Sequence, residues 1–164
     1  MLKLAELNAM PRESFTKTLG GVFEYSPWIA EATANRRPFR TLEDLQAALR
    51  NTVAQSSDTE KIALIRAHPD LVGNATLTVE SSREQAAAGL GELSAAEVEQ
   101  FRTYNTEYRQ RFGFPFVICA RLNKKDAILA AFPVRLQNSR DKEIETALGE
   151  IFKIAELRLK DLIS

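Results

Sequence analysis

The chemistry available to this 164-residue chain starts with its one histidine, His68, set in the tripeptide His68-Pro69-Asp70. Proline disfavours the α conformation in the residue before it. His68 is therefore expected at a helix end, with its imidazole turned toward a pocket. Its unperturbed pKa lies near neutrality, so it is the side chain best suited to carry a proton. The structural alternative is a C-cap, in which the ring donates to the last helical carbonyls and complements the negative end of the helix dipole.

Three other groups could hold a ligand beside it. Ser81-Ser82-Arg83-Glu84-Gln85 reads as a helix start, where unpaired amides bind anions. Glu84 has two readings: it closes a capping box with Ser81, or it orients an imidazole and accepts a substrate N–H. Farther on, Ile144, Leu148, Ile151 and Ala155 advance along one helical face, and the next position is Arg158. An inward guanidinium needs an anion or a carbonyl, and its planar fork suits a carboxylate. The alternative is that Arg158 snorkels to the rim or pairs with a structural acid. Finally, Phe116, Val117, Ile118, Cys119 and Ala120 lie in an apolar run that is either plain core or an extended backbone offering N–H and C=O groups to a planar ligand. Nothing near Cys119 activates it as a nucleophile, and the chain has no phosphate-cradling glycine loop, nucleophile elbow or EF-hand pattern.

The elements that must position these groups are helices. Pro11 suits a first turn, and Phe15, Leu19 and Phe23 follow at fourfold spacing, weakened at Gly20-Gly21. Ser26-Pro27 opens a short helix with Ser26 as its cap. Thr41 with Asp44 caps one whose stripe is Leu42, Leu45, Leu49 and Val53. Asp58 opens another, through Ile62 and Ile65, stopped at His68-Pro69. Residues 70–79 read as loop. Ser81 with Glu84, or Ser82 with Gln85, starts a helix closed by Gly89 and Gly91. Ser94 with Glu97 starts a long one through Phe101, Tyr104 and Tyr108 that ends at Gly113. The 114–119 run is too short and too proline-interrupted for an interior helix and is expected to be extended and buried. Helix resumes after Asn123, Pro133 breaks or kinks it, and Ser139 caps a last helix reaching about Leu162. The expectation is an all-α, single-domain bundle over 1–164 with a short extended segment near 114–119.

Composition narrows the partners. Lys plus Arg number 22, as do Asp plus Glu, so no global field favours nucleic acid or an anionic membrane. One cysteine and one histidine supply too few soft ligands for zinc and no intrachain disulfide, so no metal site and a reducing, cytoplasmic setting are expected. No stretch approaches a signal peptide or about 18 consecutive apolar residues, and the final tripeptide is not Ser-Lys-Leu.

His-Pro-Asp after a helix also occurs in J-domain co-chaperones, but Leu71-Val72-Gly73-Asn74 lacks their basic continuation and the match covers less than half of the chain. A second resemblance covers nearly all of it. Phe23-Glu24-Tyr25-Ser26-Pro27-Trp28, Arg66-Ala67-His68-Pro69-Asp70-Leu71, Ser81 through Gln85 with Ala88-Gly89-Leu90, Phe112-Gly113-Phe114-Pro115-Phe116-Val117, Arg135-Leu136-Gln137-Asn138 and Ile154-Ala155-Glu156-Leu157-Arg158-Leu159 occur in that order. Together they resemble the 2-oxo-4-hydroxy-4-carboxy-5-ureidoimidazoline (OHCU) decarboxylases of urate catabolism.

The resemblance implies a cofactor-free, homodimeric lyase that converts this small ureidoimidazoline to (S)-allantoin and carbon dioxide. It implies that His68, with Glu84, is catalytic, and that Pro69, Ser81, Glu84, Gln85, Arg158 and the backbone of Phe116, Val117, Ile118, Cys119 and Ala120 bind substrate. In such a substrate the electrons left by carbon dioxide delocalise into the conjugated ring, so no external electron sink is needed. The protein must supply orientation, charge stabilisation and a proton. Arg158 and the amides near Ser81 and Phe116 are expected to hold anionic and carbonyl groups, and Glu84 to orient His68. His68 then either assists proton movement from the hydroxyl or delivers the proton that fixes the S configuration.

Overall fold

The hydroxyls of Thr41, Ser57, Thr78, Ser94 and Ser139 cap helix starts in the computed structural model, which describes residues 1–73 and 76–164. Asn74 and Ala75, in the middle of the expected 70–79 loop, lie outside the described residues. Among the described residues there is no strand, only an isolated parallel bridge between Leu2 and Ile163, so the chain is all-α as expected. Its contacts group it into two units, Met1–Ala67 with Phe152–Ser164, and His68–Ile151.

The first unit contains α1 (Leu4–Ala9), α2 (Arg12–Thr18), α3 (Pro27–Thr33), α4 (Leu42–Ala54), α5 (Asp58–Arg66) and the end of α9 (Arg140–Leu162). Helix α1 is too short for periodicity to reveal, and only Leu7 of its six residues is buried. Helix α2 stops at Thr18, ahead of Gly20-Gly21, so Leu19 and Phe23 reach the core from the following turns rather than along one helical face. Ser26 precedes α3 as expected, but its hydroxyl donates to the Glu24 carbonyl (2.8 Å), and Pro27 supplies the ready-made first turn instead. In α4 the Thr41 hydroxyl accepts from the Asp44 amide (3.1 Å), and Leu45, Leu49 and Val53 are buried. Helix α5 opens at Asp58 as expected, is capped by Ser57 in a box with Glu60, and ends at Arg66.

The second unit contains α6 (Val79–Ala87), α7 (Ala95–Phe112), α8 (Lys125–Leu136) and the start of α9. Ser94 and Glu97 form a reciprocal capping box at α7, and Gly113 closes that helix with φ +79°. Helix α8 runs past Pro133 to Leu136, so the proline does not end it. The 114–119 segment has no regular structure and is buried throughout. Its phenylalanines join an aromatic core: Phe116 stacks on Phe132 (3.8 Å between centroids), and Tyr108 meets Phe116 edge-on at 5.4 Å.

Two expectations are corrected. The fully buried stripe of α9 includes Glu143, Ala147, Ile151, Ile154, Ala155, Arg158 and Leu159, whereas Ile144 and Leu148 are half-buried. The face is displaced by one residue at its start because a charged Glu143 occupies a core position. Helix α6 begins not at Ser81 or Ser82 but at Val79, with Thr78 as the cap: its hydroxyl accepts from the Ser81 amide at 3.2 Å. Both the Ser81–Glu84 and Ser82–Gln85 capping boxes are therefore ruled out.

Candidate active site

In the second unit, the chain just after His68 is tied down at three successive residues. Asp70 accepts from Nε of Arg109 (2.9 and 3.2 Å), the Leu71 carbonyl from the buried Asn105 amide (2.8 Å), and the Val72 N–H reaches Oε1 of Gln85 at 3.5 Å. These ties hold Val72 at φ +58°, a left-handed conformation unusual for a β-branched residue. Strain of this kind persists only where surrounding structure over-determines it, and it gathers at functional sites. His68 itself is 6% exposed, two residues beyond the last residue of α5, as its proline requires. It is not the C-cap, a position taken by Ala67, whose amide donates to Ala63.

Helix α6 carries the next group. With Val79 as its first residue, Ser81 stands at the third position and shares a face with Glu84 and Gln85, at i+3 and i+4. Ser81 is buried and the other two are half-buried. Because the Thr78 hydroxyl takes the Ser81 amide, that amide is not an anion donor, which corrects the expectation of a helix-start anion site there. The same shift releases Glu84 from any capping duty. At the other end, Gly89 (φ +83°) closes α6 with bonds from Leu90 to Gln85 O (3.1 Å) and from Gly89 to Ala86 O (3.0 Å), and Lys124 holds the Ala87 carbonyl (2.9 Å).

Helix α6 packs on the turn Ala120–Leu122, which places it beside the end of the apolar segment. Burial pushes the Cys119 thiol above its ordinary range, and the negative charges of Glu150 and Glu84 add to the rise. The thiol is thus kept protonated and unreactive. Within the segment, the Val117 carbonyl accepts from Arg135 (2.6 Å) and the Cys119 N–H donates to Glu150 (3.2 Å). The Cys119 carbonyl accepts from Leu122 N and Asn123 Nδ2 (3.1 and 2.9 Å). The backbone of Ile118 has no hydrogen bond to another described residue, although the residue is only 9% exposed.

Sequence reasoning missed what lies behind this segment. Arg135, Glu143 and Tyr108 form a buried network: Tyr108 donates its hydroxyl to Glu143 (2.5 Å), Arg135 Nε donates to the same oxygen (2.7 Å), and Asn138 serves the second (2.8 Å). Burial and the Glu143 bond hold the Tyr108 phenol far above its usual range, so it remains a donor. A signal was present: Ile128, Phe132 and Arg135 repeat at helical spacing, the pattern that drew attention to Arg158.

Arg158 belongs to the first unit and is 5% exposed. Its Nη2 donates to Glu24 at 2.9 Å and its Nη1 to the Gly21 carbonyl at 3.0 Å. The pairing with a structural acid is therefore present. Glu24 is a second residue the sequence reading missed; the signal was an acid inside the apolar stretch Val22-Phe23-Glu24-Tyr25. Within the second unit, then, Ser81, Glu84, Gln85 and the 116–120 segment are brought together, joined through Gln85 to the loop after His68.

Comparison with known proteins gives this arrangement its family. The chain is 42% identical over 161 residues to a 2-oxo-4-hydroxy-4-carboxy-5-ureidoimidazoline decarboxylase of Halalkalicoccus jeotgali, covering 98% of this chain and 92% of that one. Among solved structures it is similar to an (S)-allantoin synthase (TM-score 0.84, 32% identity, 100% of this chain and 54% of that chain). It is also similar to an OHCU decarboxylase crystallised in the presence of (S)-allantoin (TM-score 0.73, 26% identity, 93% and 98%). With the OHCU decarboxylase family model matching residues 8–160 as well, the chain belongs to the OHCU decarboxylase family.

Proposed function

We propose that this protein decarboxylates OHCU to (S)-allantoin and carbon dioxide in urate degradation, using its own side chains without a cofactor. The observation that carries the reading is the junction in the second unit. There the Ser81–Glu84–Gln85 face of α6 is bonded to the loop following His68 and packed on the turn that ends the 116–120 segment.

The chemistry follows from these groups. Loss of carbon dioxide leaves an electron pair that the conjugated ring of the ligand can accept, so the barrier depends on orientation and on stabilising the developing charge. The Ile118 N–H and C=O form a donor and acceptor in an otherwise apolar wall, matched to the alternating N–H and C=O edge of a ureidoimidazoline. Ser81 supplies a hydroxyl, Gln85 keeps its Nε2 for the ligand while its Oε1 holds Val72, and Pro69 adds an apolar surface. Glu84 accepts ring or hydroxyl hydrogens and orients His68, which serves as the general acid or base that sets the S configuration. On the family resemblance, Arg158 is assigned to substrate binding. Since the Glu24 carboxylate already stands 2.9 Å from this guanidinium, a carbonyl oxygen suits it better than a second full anion.

Residues 1–164 are taken to act as one decarboxylase domain, in keeping with the extent of the family match. The enzyme is further assigned to a reducing, cytoplasmic setting on its single cysteine, and to a homodimer on the family resemblance. No helix among the described residues is long and apolar enough to cross a membrane. Because the intermediate also decays without help, the decisive assay follows chirality. Urate is oxidised in the presence of the hydrolase that generates OHCU, and circular dichroism records the allantoin formed. The S enantiomer is expected in excess; racemic product formed at the unassisted rate would refute the activity.

A further inference from the structure

We infer that Arg135 and Glu150 are positioning residues that fix the two peptide planes on either side of Ile118, and so aim its N–H and C=O at the substrate. The inference rests on the proposed role of the 116–120 segment. Each peptide unit is planar and trans, so its N–H and C=O point in opposite directions. Arg135 Nη1 grips the Val117 carbonyl at 2.6 Å, which dictates where the Ile118 N–H points, on the far side of the same plane. Glu150 takes the Cys119 N–H at 3.2 Å, which likewise dictates where the Ile118 carbonyl points. Both polar groups of Ile118 are thus turned away from their charged anchors, and among the described residues neither has a partner.

The Arg135 anchor is itself held in place. The Arg135 guanidinium lies 4.2 Å from the Phe116 ring centroid, while Nε is bonded to Glu143 and Nη2 is 3.4 Å from the Tyr108 hydroxyl. With Glu143 fully buried and also bonded to Asn138, the guanidinium cannot rotate without leaving a buried carboxylate short of donors. A lysine at 135 keeps the charge but lacks the fork that reaches Val117 and Glu143 together.

Glu150 separates positioning from charge. Glu150→Gln keeps an oxygen that can accept the Cys119 N–H, whereas Glu150→Ala removes it. In the chirality-resolved assay Glu150→Ala is expected to lower kcat about 10- to 100-fold with KM changed less than about 3-fold, the scale of a misplacement near 1 Å. Glu150→Gln should stay within about 3-fold of wild type, and Arg135→Lys should fall with the alanine variant at temperatures well below its melting point. Equal loss in both Glu150 variants would assign the residue to electrostatics and overturn the inference, as would wild-type kcat in Glu150→Ala or in folded Arg135→Lys. Should Arg135→Lys fail to fold, the Glu150 pair decides alone. Hydrogen exchange of the wild-type protein with (S)-allantoin tests the underlying reading separately. Protection of the 116–120 amides is expected, and its absence would sink the substrate-facing role itself, whatever the variants show.

Discussion

Removing Glu24 should expose how strongly the Arg158 pair is locked into the first unit. The Glu24 side chain is fully buried and that of Arg158 is 5% exposed, with 2.9 Å between them. Solvent therefore screens the pair little, and cutting it leaves a guanidinium in the interior with its charge unbalanced. Breaking a buried pair from one side costs about 3–5 kcal/mol. For a chain of this length each kcal/mol moves Tm by roughly 2–4 °C, so Glu24→Ala should melt roughly 6–20 °C below wild type. Most of that cost belongs to the stranded cation rather than to the lost contact. Arg158→Met in the Glu24→Ala background should therefore restore stability, with a coupling energy on the order of 2 kcal/mol. Urea and thermal unfolding at neutral pH, followed by far-ultraviolet circular dichroism, measure all four corners of the cycle. Strict additivity, or a Glu24→Ala melting point within about 2 °C of wild type, would refute the argument.

Two further outcomes are expected away from the chemistry. Gly89→Ala has open space for its Cβ but must adopt φ +83°, so it should destabilise by about 1–2 kcal/mol through backbone strain alone, measured by urea unfolding; no loss would remove the left-handed closure of α6 from the account. Glu97 is held below its ordinary carboxylate pKa first by the Ser94 backbone N–H and then by Lys125. A depressed folded-state pKa gives stability that is present above the unfolded pKa and lost as pH falls through the folded one. The difference in Tm between wild type and Glu97→Gln should thus be greatest near neutrality and shrink on acidification, and a difference that grew in acid would reverse the assignment.

How far the sequence discloses this fold depends on where the determining forces are local. Ser94 with Glu97 and the glycine at 113 mark both ends of α7 because a cap and a left-handed residue act within one turn. At α6 the same rule misleads. Thr78, Ser81 and Ser82 are all good caps, and the chain uses Thr78, which moves Ser81 inside the helix and takes Glu84 out of the capping-box position. Arg158 is found because it continues an apolar stripe, but Glu143 hides on the same helix, since a carboxylate at a core position breaks the pattern that would reveal the face. Its partners Arg135 and Tyr108 are 8 and 35 residues away, and no local rule pairs them. The 114–119 segment is legible as buried and non-helical from Pro115 and its apolar run. What aims its backbone, the Arg135 and Glu150 anchors, comes from α8 and α9 and needs the fold.

The account stands on His68 as the proton carrier, and His68→Asn tests it most directly. Asparagine fits a comparable space and can hydrogen-bond, but it cannot exchange a proton near neutrality. With the fold verified by circular dichroism, the rate of (S)-allantoin formation should drop by about 10²–10⁴-fold, leaving the racemic product of spontaneous decay. A folded His68→Asn protein that forms (S)-allantoin at close to the wild-type rate would contradict it.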